Sequence, residues 1–314
     1  MQIFLICLIA VLVIFVAFLV VSLLFFNFSI QAKPRRKNTD LPPNASRARQ
    51  KNKMLDFRQW YFSQNIKYEY INSFDELKLC TQILEQEKSK KTVIMMHGFR
   101  AQDHDDFCGS IKFFYDDGFN IILPQQRGHE KSEGKFLTYG YKESFDCKKW
   151  VEFAIKRYGA DSEIVLYGVS MGCATVLLTL TKNLPSNVKC CIADCGYTCV
   201  TDIFSHVLGS KYHLPVFPIL NLTKKIARYF ADFDWAEASP LEAVKENKIP
   251  VLFIHGDKDK FVPCEMTQRN FDACTSEKEL LIIEGATHAM SFLVAPEKCW
   301  NTAQNFVYKY MKRG

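Results

Sequence analysis

Ser170 stands in the run EIVLYGVSMGCATVLL at residues 163–178, with Gly168 and Gly172 two places away on either side. Ile164, Val165 and Leu166 before it have the length and character of a buried strand, and Ala174 to Leu178 opens a helix. A serine at so sharp a strand-to-helix turn presents its hydroxyl to a cleft. The glycines suit that turn because a Cβ there would collide with neighbouring backbone. A hydroxyl becomes a nucleophile only beside a base that takes its proton, an acid that orients the base, and donors for the developing oxyanion. The motif is short enough to arise by chance, so its meaning depends on those partners.

Position sorts the seven histidines. His288, in EGATHAM, follows the last expected strand by a few loop residues, which suits a general base on a turn. His255 ends a strand and is expected to order its own loop. His97, in MMHGFR, ends a strand where oxyanion donors arise, and His129 lies in the tight loop QQRGHEKSEG. His104, His206 and His213 have no supporting context and read as surface or packing residues. For the acid, VLFIHGDKDKFVP offers Asp257 and Asp259 just after a strand, and Asp194 ends the strand CCIADCG. The order serine, acid, histidine is the one a nucleophile at this kind of turn requires. The first oxyanion donor is then the backbone N–H of Met171, at the amino end of the helix that follows Ser170. The second is that of Phe99, on position alone.

Taken together, HGF, QRGHEKSEG, GVSMG, HGDKDKFVP and GATHA resemble the α/β-hydrolase superfamily over roughly residues 65–312. The likeness is greatest to the serine-aminopeptidase-like branch of membrane-anchored bacterial hydrolases. The resemblance implies Ser170 as nucleophile and His288 as base. It also implies Asp259, the second aspartate of GDKD, as the acid in preference to Asp257. The chain departs from the branch at Gln125 and Gln126, near a position usually held by aspartate, and at Glu130, where glycine is usual.

These residues need a scaffold that gathers strand ends. Short apolar runs at 92–96, 120–123, 163–166, 188–193, 251–254 and 279–283 alternate with helical segments at 142–158, 171–182 and 296–311. That rhythm predicts an α/β fold with a mostly parallel central sheet, helices on both faces and active groups at the carboxyl ends of strands. Segments 66–73 and 77–86 read as an antiparallel start to the sheet. One interval breaks the rhythm: about 50 residues from Thr198 to Pro250, rich in Phe204, Phe217, Tyr229, Phe230, Phe233 and Trp235, read as a helical lid.

Upstream, Ile3 to Phe26 is an uncharged run whose only polar member is Ser22, long enough at about 1.5 Å per residue to cross a bilayer. Residues 1–30 are therefore expected to be a transmembrane anchor, 31–58 a basic juxtamembrane linker and 59–314 the hydrolase domain. Residues 33–58 hold nine basic side chains against Asp40 and Asp56, a net of +7, which leaves −1 for residues 59–314 out of the chain's +6. The near-neutral domain gives no support to nucleic-acid binding. The basic flank suits acidic lipid heads and a cytoplasmic domain, an extracytoplasmic domain being the alternative. The twelve cysteines lack metal-site spacing and read as reduced, mostly buried thiols; Cys190 and Cys191 should point to opposite faces of one strand. The expected activity is hydrolysis of a small or lipid-like acyl ester through an acyl-enzyme, with no cofactor or metal needed. A serine aminopeptidase is the alternative, and a non-catalytic interaction module a more distant one.

Overall fold

The computed structural model of the 314-residue chain describes residues 1–33, 50–101 and 104–311. Its strands are β1 (Lys67–Asn72), β2 (Lys78–Leu84), β3 (Lys91–Met96), β4 (Asn120–Pro124), β5 (Glu163–Val169), β6 (Val188–Asp194), β7 (Val251–Gly256) and β8 (Lys278–Ile283). They form one sheet in the order β1-β2-β4-β3-β5-β6-β7-β8. Strand β2 pairs antiparallel with β1 and β4, and the remaining pairings are parallel. The helices are α1 (Gln2–Ser29), α2 (Lys51–Ser63), α3 (Ile111–Asp116), α4 (Tyr141–Tyr158), α5 (Met171–Thr179) and α6 (Val200–His206). After them come α7 (Val216–Ala231), α8 (Pro240–Glu246), α9 (Cys264–Ala273), α10 (Ser291–Val294) and α11 (Pro296–Tyr310).

The period-two alternation of the strands builds two cores, one on each face of the sheet. Val93, Met95, Val165, Tyr167, Cys190 and Ile192 meet α2, α3 and α11 on one face. Ile94, Met96, Ile164, Leu166 and Cys191 meet α4, α5 and α8 on the other. Cys190 and Cys191 thus lie on opposite sides, and the twelve cysteines are free, only Cys7 being fully exposed.

Residues 51–58, expected to be linker, are part of the folded domain. Met54, Phe57 and Tyr61 lie on one face of α2 at spacings of three and four and are buried in the first core. Burying side chains of that size stabilises by about 1.5–3 kcal/mol each, more than the few tenths by which helix propensity discriminates here. Two of the basic residues assigned to the lipid-facing flank are spent inside the protein. Arg58 makes a two-pronged ion pair with Asp105 (2.7 and 3.0 Å), and Lys53 donates to the Leu293 carbonyl (3.0 Å). The flank at 34–49 lies outside the described residues.

The long interval folds as α6, a π-helical turn at Val207–Lys211, α7, a 3-10 turn and α8. Its apolar residues divide cleanly. Phe204, Ile219, Leu220, Phe233 and Trp235 build a third core, whereas Leu214, Val216, Phe217, Tyr229 and Phe230 are exposed. The end of α1 belongs to that third core through Phe25, Phe26 and Ile30, and the chain continues into a bridge pairing Gln31 with Phe136.

Candidate active site

Ser170 is the pivot between β5 and α5, with φ 56° and ψ −116°. A side chain held there costs on the order of 1–3 kcal/mol, a strain the buried helix behind it must hold in place. The glycines make the turn possible. A Cβ on Gly168 would lie 2.1 Å from the Gly172 carbonyl oxygen, and one on Gly172 would lie 1.7 Å from that of Met96. No side chain other than hydrogen fits at either position.

Two strands deliver the other groups. Asp259 follows β7 by three residues and His288 follows β8 by five. Ser170 Oγ lies 2.9 Å from His288 Nε2, and His288 Nδ1 lies 2.6 Å from Asp259 Oδ2. The serine and histidine therefore share one hydrogen bond and the histidine and aspartate another. Asp259 is almost fully enclosed. Its Oδ1 accepts from the amides of Phe261 (2.8 Å) and Val262 (2.9 Å). Burial by itself raises the Asp259 carboxyl, but the histidines at 288 and 255, by charge and hydrogen bonding, outweigh it and hold the group well below the usual carboxylate range.

The other two aspartates are in different situations. Asp257 is tied to the Gly285 amide (2.6 Å) and to Lys258 at the surface, where it joins the β7 and β8 loops. Asp194 lies beneath the site: its carbonyl accepts from the Ser170 amide (2.9 Å), while Tyr167 reaches its carboxyl only at 3.4 Å. Burial pushes the Asp194 carboxyl up to about 7. Two enclosed carboxyls thus carry opposite protonation tendencies, and only Asp259 is bonded to His288.

One member of the cluster escaped the sequence reading. His255 does order its loop, accepting or donating at Nδ1 to the Thr267 hydroxyl (2.7 Å), but its Nε2 also reaches Asp259 Oδ2 (3.1 Å) and the Val262 carbonyl (3.0 Å). Both neighbours of Nε2 are acceptors, so that nitrogen carries a proton and donates to the acid. The sequence signal was its place four residues before Asp259 at a strand end.

The loop after β3 approaches from the opposite side. A Cβ on Gly98 would meet Ser170 Cβ at 3.2 Å, so the missing side chain is what lets this loop close on the serine. The Gly98 amide donates to Asp106 and the Arg100 amide to His129 Nε2. Among the described residues the amides of Phe99 and Met171 have no acceptor within the protein. His97 and His129 are structural: the Gln126 amide donates to His97 Nε2, and burial and then His97 lower His129 to about 3. Gln126 also bonds the His97 carbonyl and the Thr175 hydroxyl, so the glutamine that departs from the family pattern knits this loop to α5. His104 is buried and stacks on Tyr61, while His206 bonds the Lys260 carbonyl.

Cys195, Asp259 and His288 bring three potential ligand atoms within 4.8 Å of one another. The histidine nitrogens there are engaged by Ser170 and Asp259, and burial pushes the Cys195 thiol far up, away from the thiolate a metal would need. The arrangement fits a proton relay better than an ion. In front of Ser170 lies a cavity of about 190 Å³, lined mainly by apolar side chains including Phe99, Ile203, Phe204 and Val207. Among the described residues its one charged lining residue is Lys211.

A serine on a strained strand-to-helix turn, facing a histidine and an aspartate from later strand ends of a mostly parallel sheet, defines a class. The chain belongs to the α/β hydrolases. A family model described as the alpha/beta hydrolase fold matches residues 91–206. The uncharacterized protein YqkD of Bacillus subtilis is 30% identical over 219 residues, covering 69% of this chain and 70% of that one. An uncharacterized membrane protein of Saccharomyces cerevisiae, YNL320W, is 24% identical, covering 78% of this chain and 81% of its own length. Among solved structures, the Pyrococcus furiosus esterase Pf2001 superposes with a TM-score of 0.66 at 24% identity, covering 89% of this chain and 100% of that one. The acylaminoacyl peptidase of Pyrococcus horikoshii superposes with a TM-score of 0.59 at 17% identity, covering 82% of this chain and 44% of that one. At these identities the two structures speak for the fold.

Proposed function

We propose that the protein is a membrane-anchored serine hydrolase that cleaves carboxylic esters through an acyl-enzyme. The observation that carries this reading is the continuous relay Ser170 Oγ–His288 Nε2 and His288 Nδ1–Asp259 Oδ2, at 2.9 and 2.6 Å. Ser170 Oγ attacks the acyl carbon while its proton passes to His288 Nε2. The carbonyl oxygen becomes an oxyanion, which the amides of Met171 and Phe99 receive. Collapse of that intermediate breaks the ester bond, His288 returns the proton to the leaving alcohol, and the acyl group remains on Ser170. Water then attacks the acyl-enzyme with His288 again as base, releasing the acid and restoring the Ser170 hydroxyl. Asp259 keeps Nδ1 protonated and stabilises the imidazolium formed in each half.

The character of the cavity favours an ester over a peptide amino terminus. An aminopeptidase needs a carboxylate for the substrate ammonium, and among the described residues the charged group lining the cavity is Lys211 instead. Four acidic residues of the insert are paired elsewhere: Asp202 with Arg269, Asp232 with Lys142, Asp234 with Lys224 and Glu242 with Lys245. In this reading α1, an apolar helix of 28 residues, crosses the bilayer.

A fluorophosphonate probe labels an activated serine irreversibly. It is expected to label the full-length protein, and Ser170→Ala is expected to abolish labelling while the thermal unfolding midpoint stays close to that of the parent. Labelling that persists in the Ala variant would refute the assignment. The same variant should lose several decades of ester turnover.

A further inference from the structure

The apolar run of α1 contains one polar side chain, Ser22, and it is fully buried. Ser22 Oγ donates to the Phe18 carbonyl of its own helix (2.7 Å) and lies 3.2 Å from the Ile219 carbonyl of α7. Thr223 Oγ1 donates to the Ile219 carbonyl (2.9 Å) and lies 3.4 Å from the Ser22 carbonyl, so α1 and α7 pack side by side at this level. One turn further along, Phe26 meets Phe230 with ring centroids 6.2 Å apart and Phe25 meets Phe204 at 5.2 Å. A helix that only tethers a domain needs none of these contacts.

The contacts lead to the nucleophile. Phe25, Phe28 and Ser29 of α1 line the same cavity as Ser170. Arg100, next to the oxyanion-loop residue Phe99, donates to the Gln31 carbonyl (3.0 Å) and places its guanidinium over the rings of Phe28 and Phe99, at 5.3 and 4.8 Å. The Tyr139 hydroxyl donates to the Ser29 carbonyl (2.9 Å). The end of α1 is locked into the site from three sides.

Depth follows from helix geometry. A hydrocarbon core of about 30 Å takes up about 20 helical residues, so a span starting at Ile3 reaches its far edge near Ser22. Phe25, Phe28 and Ser29 then lie at headgroup level. Phe28 is 43% exposed and, with Tyr212 6.3 Å away, rims the cavity. The register of α7 on α1 sets the start of α7 at the depth of Ser22, where Leu214, Val216 and Phe217 are exposed, Phe217 to 75%. These side chains continue the apolar surface of α1, which is exposed at Val20, Leu23 and Leu24.

We propose that α1 is a wall of the acyl site as well as an anchor, and that the cavity opens at the lipid headgroups, so that the substrate is an acyl ester resident in the bilayer. A cavity of about 190 Å³ is smaller than a site for a whole drug-sized ligand, about 300–1,000 Å³. It takes one acyl chain and leaves the rest of the lipid in the membrane. The proposal rests on the hydrolase reading above.

The test uses the full-length protein in phospholipid nanodiscs, with two kinds of substrate. The first is a series of 4-nitrophenyl esters from acetate to dodecanoate. Phe28→Ala and the milder Phe25→Leu are expected to lower the dodecanoate-to-acetate ratio of kcat/KM about tenfold and threefold, because each removes part of the wall a long chain contacts. The second is a fluorogenic diacylglycerol analogue dissolved in the disc. Phe217→Asp is expected to lower its turnover about tenfold relative to that of 4-nitrophenyl butyrate, since a carboxylate resists insertion at that depth. Ser170-dependent acetate hydrolysis with ratios that none of the three variants moves overturns the proposal and leaves the hydrolase reading standing. Absence of both ester turnover and fluorophosphonate labelling in the parent would instead sink that reading, and this proposal with it.

Discussion

At the residue scale the site turns on two enclosed carboxyls 65 positions apart in the chain. Asp259 receives two backbone amides and two histidines, and Asp194 receives only a long contact from Tyr167. For Asp259→Asn, kcat is expected to fall about 10⁴-fold, because an amide facing Nδ1 favours the wrong imidazole tautomer. Asp257→Asn, in a loop clasp at the surface, should cost less than about tenfold; the opposite ranking in steady-state kinetics would show the register of this loop to be misread. Asp194 makes a prediction about stability. Its folded pKa of about 7 lies above the unfolded value of about 3.9, so between these the folded state holds a proton that the unfolded chain releases. Stability therefore falls as pH rises through that window, and the penalty is complete above about 7. Asp194→Asn removes it. The variant's unfolding midpoint, measured against the parent by differential scanning fluorimetry, should improve from pH 5 to pH 8; an offset independent of pH would contradict the assignment.

At the element scale, chemistry is gathered by strand ends. Ser170, Asp259, His288 and Phe99 follow β5, β7, β8 and β3, and parallel pairing places those ends along one edge of the sheet. The strands were legible because their apolar runs are buried on both faces and carry no competing helical period. Helix α2 was not. Its Met54, Phe57 and Tyr61 stand among lysines and arginines, so composition read as a charged linker while the spacing of three apolar residues decided the structure. The insert was legible as an excursion of excess length, but not in how its aromatic residues divide between a core and an exposed face.

At the scale of the whole molecule, the distribution of charge carries our proposal for the orientation. Residues 1–32 have no charged side chain, and Lys33, Arg35, Arg36, Lys37, Arg47 and Arg49 follow the apolar helix. Lys53 and Arg58 are occupied by contacts within the protein, yet the bias remains on the domain side. The hydrolase domain is accordingly expected to face the cytoplasm, and protease added to intact cells should spare it. Digestion without permeabilisation would reverse the orientation. The same experiment bears on the cysteines, which in the structure form no disulfide among the described residues.

The sequence by itself determined what local chemistry enforces. Gly168 and Gly172 leave room for a tight turn around Ser170, the short apolar runs between helical segments suit a buried sheet, and the uncharged run of residues 3–26 is long enough to cross a bilayer. Long-range packing decided the rest. The amides and His255 that hold Asp259 come from its own loop, and the family resemblance already pointed to it; what no local spacing encodes is the arrival of His288 from the loop after β8, which reaches Asp259 and not Asp194. The role of Ser22, Phe25 and Phe28 depends on where α7 crosses α1, nearly 200 residues away along the chain. An anchor helix and a pocket wall have the same apolar composition, and only the fold shows that the end of α1 lines the cavity in front of Ser170.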